Sequence, residues 1–171
     1  MTCRIVLAKD RHKFSAAHMT FFPDGTKEPL HGHNYQVGVA LSLKQTSFQK
    51  MLSLSLVKEQ IVELCGRWDE RVLLPRRSKM LRIIKREKET KASQLETEFF
   101  ACKKHYVIPS DEIAWIDADN ITIEALCGVF AKELRNALKK NSQIKTLISS
   151  IEVSIFETRG QGASLEIPFG L

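Results

Sequence analysis

The chain is poor in the features that mark several protein classes. Its four cysteines, Cys3, Cys65, Cys102 and Cys127, are scattered and form no C-x-x-C pair. That pattern points to reduced thiols rather than a disulfide scaffold or a cysteine metal site. No apolar run approaches the roughly 18 residues a membrane-spanning helix needs, so no membrane partner is expected. The first residues offer only Ile5–Ala8 before Lys9 and Asp10, short of the about 7–15 apolar residues of a secretory signal. Internal repeats and low-complexity tracts are lacking too. These absences predict a soluble, cytoplasmic protein. What remains is 171 residues, 43% hydrophobic and 27% charged. That suits one globular domain with a full core, spanning 1–171, and is too short for two ordinary ones.

The net charge of 26 − 20 = +6 is concentrated in one place. Arg76, Arg77, Lys79, Arg82, Lys85, Arg86, Lys88 and Lys91 face only Glu87 and Glu89 in that window. No aromatics interleave, and no helical or zinc-finger reading motif is present, so nucleic acid is not expected as a partner. A solvated hairpin is the reading adopted, ahead of attraction for a polyanionic small substrate.

Alternation and helical spacing give the organisation. Residues 3–8 and 13–18 are β-compatible, with Phe14, Ala16 and His18 on one face. Met19–Leu30 holds Pro23, Asp24-Gly25 and Pro29 and reads as a loop. Alternation resumes from His33 to about Gln45. Leu54, Val57, Ile61 and Leu64 predict a helix over Ser53–Cys65, capped by Ser53 or Ser55 and stopped at Gly66. A basic hairpin or meander follows, with strands at about 80–86, 94–101 and 104–108. Ile123, Leu126, Phe130, Leu134 and Leu138 line a second helix, which Asn120 can cap and which runs to about Lys139. Strands Leu147–Glu157 and Ala163–Pro168 close the chain around a glycine-bearing turn. The expected fold is α+β: a four-stranded antiparallel sheet with two helices on one face, and a basic insertion at about 76–110. Such a sheet leaves open edges, and joining edges between subunits predicts a ring-shaped homo-oligomer.

Three of the five histidines cluster. His31 and His33 share a face across Gly32, and the loop can return them beside His18. Three neutral imidazoles with a vacant fourth position form the usual catalytic zinc arrangement, so Zn2+ is the expected cofactor. Asn34 and Tyr35 read as supporting groups, and His12 and His105 as ordinary packed or surface residues.

A carboxylate also stands out of place. Glu157 continues the apolar face of Ile151, Val153 and Ile155, where an unpaired charge costs several kcal/mol if buried. It suits a partner with paired N–H donors, either an arginine or the amino-pyrimidinone edge of a pterin or guanine. Thr122 and Glu124, in the first turn of the second helix, are either caps or neighbours of a ligand edge. Glu28, before His31, and the pair Asp69-Glu70 are candidates for general acid or base.

The segments FSAAH, LHGHNY, N-x-T-x-E from Asn120 to Glu124, and V-x-I-F-E-T from Val153 to Thr158 resemble the 6-pyruvoyltetrahydropterin synthase / 6-carboxytetrahydropterin synthase family. The resemblance runs from about His12 to Ile167 and covers 76–110 poorly. It implies a T-fold (tunnelling fold) whose subunits join sheets into an oligomeric barrel, a hexamer or other ring. It further implies zinc on His18, His31 and His33, a pterin anchored by Glu157 with the Thr122 region lining the pocket, and 7,8-dihydroneopterin triphosphate as substrate. Two departures stand out. Family members usually carry a catalytic cysteine where this chain has Gly25, Thr26 and Lys27, and the family's Asp-His pair is here Asp69-Glu70. Glu28 followed by Pro-Leu-His-Gly-His resembles a subgroup in which glutamate replaces the cysteine. That subgroup cleaves the side chain to 6-hydroxymethyl-7,8-dihydropterin. A carboxylate, with an unperturbed pKa of about 4.3, is a weaker base than a thiolate near 8.5. It favours the more acidic proton of an activated hydroxyl, hence retro-aldol cleavage over C–H abstraction. The alternatives are a pyruvoyl- or carboxy-forming synthase on the same substrate, or a non-catalytic paralogue that binds zinc and pterin.

Overall fold

The computed structural model describes residues 3–46, 52–86, 94–99 and 102–170. The basic window beyond Arg86, and positions 100–101 of the expected third insertion strand, lie outside them. The long strand β3 (His31–Leu43) is the axis of the main sheet. One of its edges pairs with β2 (Lys13–His18) and, further along, with β1 (Arg4–Leu7). Its other edge pairs with β9 (Ile148–Thr158), which turns at Arg159-Gly160 into β10 (Gln161–Pro168). Gly160 has φ +88, a conformation only glycine adopts without strain. The order β10-β9-β3-β2 is the expected four-stranded antiparallel sheet.

The structure extends that sheet. Strands β4 (Arg71–Pro75) and β8 (Ile113–Ile116) add to it in parallel, making seven strands in all. Leu73, Leu74, Ala114 and Ile116 are buried. β4 buries three consecutive residues, and both segments are short apolar runs whose sequence carries no polar–apolar alternation. A second, three-stranded antiparallel sheet holds β5 (Leu81–Arg86), β6 (Gln94–Phe99) and β7 (Lys104–Pro109), where the meander was expected.

Helices α1 (Leu54–Trp68) and α2 (Ile123–Leu138) bury Val57, Ile61, Leu64, Leu126, Phe130 and Leu134 in one core with the inner face of the sheet. Gly66 does not stop α1. The helix continues because Trp68 packs edge-on to Phe14, at 5.3 Å between ring centroids, and to Phe130 at 5.5 Å. Ser53 occupies the N-cap without a side-chain cap bond, its hydroxyl pairing instead with that of Ser55 at 2.9 Å. Asn120 does not cap α2. Thr122 does so, accepting the Ala125 N–H at 3.3 Å. A short helix α3 (Ser142–Leu147) precedes β9, capped by Asn141. Among the described residues no helix is long and apolar enough to cross a membrane.

Candidate functional site

Antiparallel pairing of β2 with β3 sets His18 directly opposite His31, and Ala16 opposite His33. The period of two then puts all three imidazoles on one face. Their ring centroids are 4.6, 5.3 and 4.8 Å apart, and one ligand atom from each lies within 4.8 Å of the others. Among the described residues this is the one such cluster of metal-binding groups. Gly32 lies across from Ala17, and a Cβ there would come within 3.3 Å of the Ala16 carbonyl oxygen.

Backbone carbonyls orient two of the rings. His18 Nδ1 lies 3.3 Å from the Ile121 oxygen and His31 Nδ1 2.9 Å from that of Pro29. A carbonyl only accepts, so each Nδ1 carries the proton and each Nε2 keeps its lone pair for a ligand. His18 Nε2 is buried and has no hydrogen-bond partner. Burial, reinforced by His31 and His33, pushes the His18 pKa down to about 4, against the opposing influence of the Ile121 carbonyl and Glu28. A neutral, oriented imidazole with an orphaned nitrogen is what a metal ligand requires, and the all-imidazole donor set fits a zinc-like divalent ion.

Glu28 stands at the rim. Its loop folds as a small hairpin in which Phe21 bridges Lys27, the Glu28 N–H donates to the Thr20 oxygen at 2.9 Å, and the Thr20 N–H donates to the Glu28 carboxylate at 3.1 Å. Partial burial alone would raise the Glu28 pKa. Hydrogen bonding from Thr20 and the proximity of His31 and His18 outweigh it and hold the carboxyl below its usual range. Glu28 is therefore an ionised acceptor beside the triad.

Glu157 is half-buried near the end of β9 and accepts one N–H from Gln161 at 3.2 Å. No arginine pairs with it among the described residues. Gln36 pairs with Phe156, so Glu157 falls beside Tyr35, on the face that also carries His33. Burial, followed by the charges of Glu157 and Glu28, raises the Tyr35 pKa. Thr122 caps α2, and its hydroxyl, with the N–H of Glu124 itself, holds the Glu124 carboxyl below its ordinary value.

The other expected acids, Asp69 and Glu70, lie between the end of α1 and the start of β4. Asp69 ends α1 and accepts the Ser15 N–H at 2.7 Å. Glu70 follows with φ +55. It shares a cleft of about 380 Å³ with Ser15, Asn34, Arg71, Glu112 and the flank of His33.

Sequence reasoning missed the supports of the site. The Ile121 carbonyl receives both His18 Nδ1–H and the Thr20 hydroxyl, the latter at 2.9 Å. Asn120 clamps Phe21, accepting its N–H at 3.0 Å and donating to its oxygen at 2.8 Å. Backbone carbonyls leave no trace in a sequence, and the asparagine has an equally good local explanation as a cap.

A curled, largely antiparallel sheet backed by two helices, with three inward histidines at one end, defines a tunnelling-fold protein with a candidate metal centre. The sequence profile of the family described as 6-pyruvoyl tetrahydropterin synthase matches residues 7–168, and the chain belongs to that family. A relative in Methanocaldococcus jannaschii, provisionally named 6-carboxy-5,6,7,8-tetrahydropterin synthase, is 31% identical over 153 residues, covering 88% of this chain and 87% of its own. The 6-pyruvoyl tetrahydropterin synthase of Plasmodium vivax superposes with a TM-score of 0.85 at 20% identity, covering 98% of this chain and 99% of its own. Its Plasmodium falciparum counterpart gives the same score and identity, at 98% coverage of both chains. The P. vivax protein has also been solved with a glutamate, termed its catalytic residue, replaced by alanine and by cysteine.

Proposed function

We propose that the protein is a zinc-dependent lyase acting on 7,8-dihydroneopterin triphosphate, cleaving its side chain to 6-hydroxymethyl-7,8-dihydropterin. The observation that carries this reading is the ionised Glu28 carboxylate, fixed by the Thr20 N–H beside His18 and His31 in a loop without a thiol. The catalytic glutamate of the P. vivax relative supports it.

In this scheme His18, His31 and His33 hold Zn2+, which when bound supplies Lewis-acid activation of the substrate's side-chain hydroxyls. Glu157, whose one donor among the described residues is Gln161, accepts paired N–H bonds from the pyrimidine edge and so fixes the ring. Glu28 accepts the proton of the hydroxyl on the second side-chain carbon. The bond between the first and second carbons then breaks, and its electron pair enters the conjugated dihydropterin ring. Glu28 returns the same proton to the first carbon, leaving a hydroxymethyl group and a triphosphate-bearing aldehyde. Thr122 holds the helix start that orients His18 through Ile121. Asp69, through its bond to the Ser15 N–H, or Glu70, from the cleft beside His33, acts as an orienting or relay group. Within this reading the protein is a ring-shaped homo-oligomer, which light scattering on a sizing column tests directly.

Product analysis on 7,8-dihydroneopterin triphosphate is the deciding experiment. The expected product is 6-hydroxymethyl-7,8-dihydropterin, lost on Glu28→Gln; a Glu28→Gln variant turning over at the parent rate removes Glu28 from the chemistry. A carboxy or pyruvoyl product would favour the second reading, to which the M. jannaschii relative lends support. No turnover with retained zinc and pterin binding would mark a non-catalytic paralogue.

A further inference from the structure

The second sheet touches the Glu28 loop at a defined place. Lys27 Nζ donates to the Glu28 carbonyl oxygen at 2.8 Å and to the Tyr106 hydroxyl on β7 at 3.0 Å. The same ammonium lies 5.2 Å from the ring centroid of Phe99 on β6 and 5.0 Å from that of Tyr106. Those two rings meet edge to face at 5.3 Å. Phe21, the bridge partner of Lys27 in the loop hairpin, packs against Phe99 at 5.3 Å in a small cluster with Met19. Among the described residues Lys27 has no carboxylate partner. Two oxygens and two aromatic faces satisfy it, a combination that suits a partly desolvated ammonium.

We propose that the second sheet supports the active-site loop, and that Lys27, seated between Phe99 and Tyr106, is a positioning residue for Glu28. This rests on the reading of Glu28 as the proton shuttle. The hairpin bonds to Thr20 fix Glu28 from one side, and the Asn120 clamp fixes Phe21 from the α2 side. On the side of the second sheet, Phe21 packs against Phe99 and Lys27 supplies the hydrogen bond to the main chain of Glu28. A loop bounded by Pro23, Asp24-Gly25 and Pro29 has few core contacts of its own, so its main chain takes its rigidity from what it touches. By bonding the carbonyl of Glu28 itself, Lys27 acts on the backbone from which the carboxylate projects, not on the carboxylate. The sheet that appears in the sequence as a basic insertion thereby gains a role separate from its charge.

The test compares Lys27→Met, Lys27→Arg and Tyr106→Phe with the parent and with Glu28→Gln, all as the full-length, zinc-loaded protein. Lys27→Met is expected to lower kcat about tenfold or more, as small misplacements of a reacting group do, with KM and zinc affinity within about twofold. Hydrogen exchange at the amides of residues 20–28 rises in the same variant, while the rest of the chain keeps the parent's protection. Tyr106→Phe keeps the ring face and loses one acceptor, and is expected to lower kcat about threefold. It also covers the case in which Lys27→Met folds poorly. Lys27→Arg restores at least part of the rate, because it keeps the cation and its donors. Parent-like kcat and unchanged loop exchange in Lys27→Met and Tyr106→Phe would overturn the positioning role and leave the shuttle standing. A fully active Glu28→Gln would instead overturn the shuttle.

Discussion

Replacing Asn120 by alanine isolates the clamp that joins the start of α2 to the Glu28 loop. The side chain makes three bonds: its oxygen accepts the Phe21 N–H and the Ile121 N–H, each at 3.0 Å, and its nitrogen donates to the Phe21 carbonyl at 2.8 Å. All three are partly buried, so water can replace them only in part. A net value of about 0.5–1.5 kcal/mol per bond gives a destabilisation of about 2–4 kcal/mol for Asn120→Ala. At about 2–4 °C per kcal/mol for a chain of this size, the melting temperature falls by about 5–15 °C. Asn120→Asp keeps the accepting oxygen and loses only the donor, and should cost about 1 kcal/mol. Thr122→Ala, which removes the true cap, should also cost about 1 kcal/mol. Urea unfolding of the metal-free protein, followed by tryptophan fluorescence, measures all three. An Asn120→Ala cost below that of Thr122→Ala would refute the clamp and return Asn120 to the role of an ordinary capping residue.

Zn2+ at a hundredfold excess over its dissociation constant should stabilise the chelator-treated protein by about 2.7 kcal/mol. A thermal shift records this, and His31→Ala should abolish it. Acid should act on the metal-free protein through His18, whose folded pKa of about 4 lies below its ordinary value of 6.5. The unfolded chain binds the extra proton between those values, so stability is full above about pH 6.5 and falls by about 3 kcal/mol as the pH drops to 4. His12 is fully buried, and burial lowers its pKa against the opposing Leu7 carbonyl, so its contribution is lost in the same direction. Denaturant midpoints that stay flat from pH 7 to 5 would refute this. Gly162→Ala should cost about 1–3 kcal/mol, because a Cβ there would come within 2.6 Å of the Ile155 oxygen and closer still to the Phe156 ring. The variant should weaken pterin binding more than zinc binding, since Glu157 lies on the adjoining strand; isothermal titration separates the two.

The parts of the molecule readable from sequence are those whose chemistry repeats along the chain. FSAAH and HGHNY alternate, so the shared face of His18, His31 and His33 follows from period two alone, and the apolar stripes of α1 and α2 follow from helical spacing. The parts that were hidden depend on distant partners. RVLLP and IAWI are too short and too uniformly apolar to declare themselves as strands, and they pair in parallel with neighbours far along the chain. Gly66 reads as a helix stop unless Trp68 is known to pack against Phe14 and Phe130. Asp69 reads equally well as a catalytic acid or a helix end, and its bond to the Ser15 N–H shows its place in the fold.

The three imidazoles come from adjacent strands of one hairpin, 33 − 18 = 15 positions apart at most, whereas the carbonyl that aligns His18 arrives from 103 positions away. Closing a short loop is entropically cheap and fast compared with recruiting a distant segment. On that ground the three candidate ligand nitrogens are expected to come together when β2 first pairs with β3, before α2 is in place. An ion captured at that moment would template the hairpin, and the later docking of Ile121 would lock in a ligand already chosen.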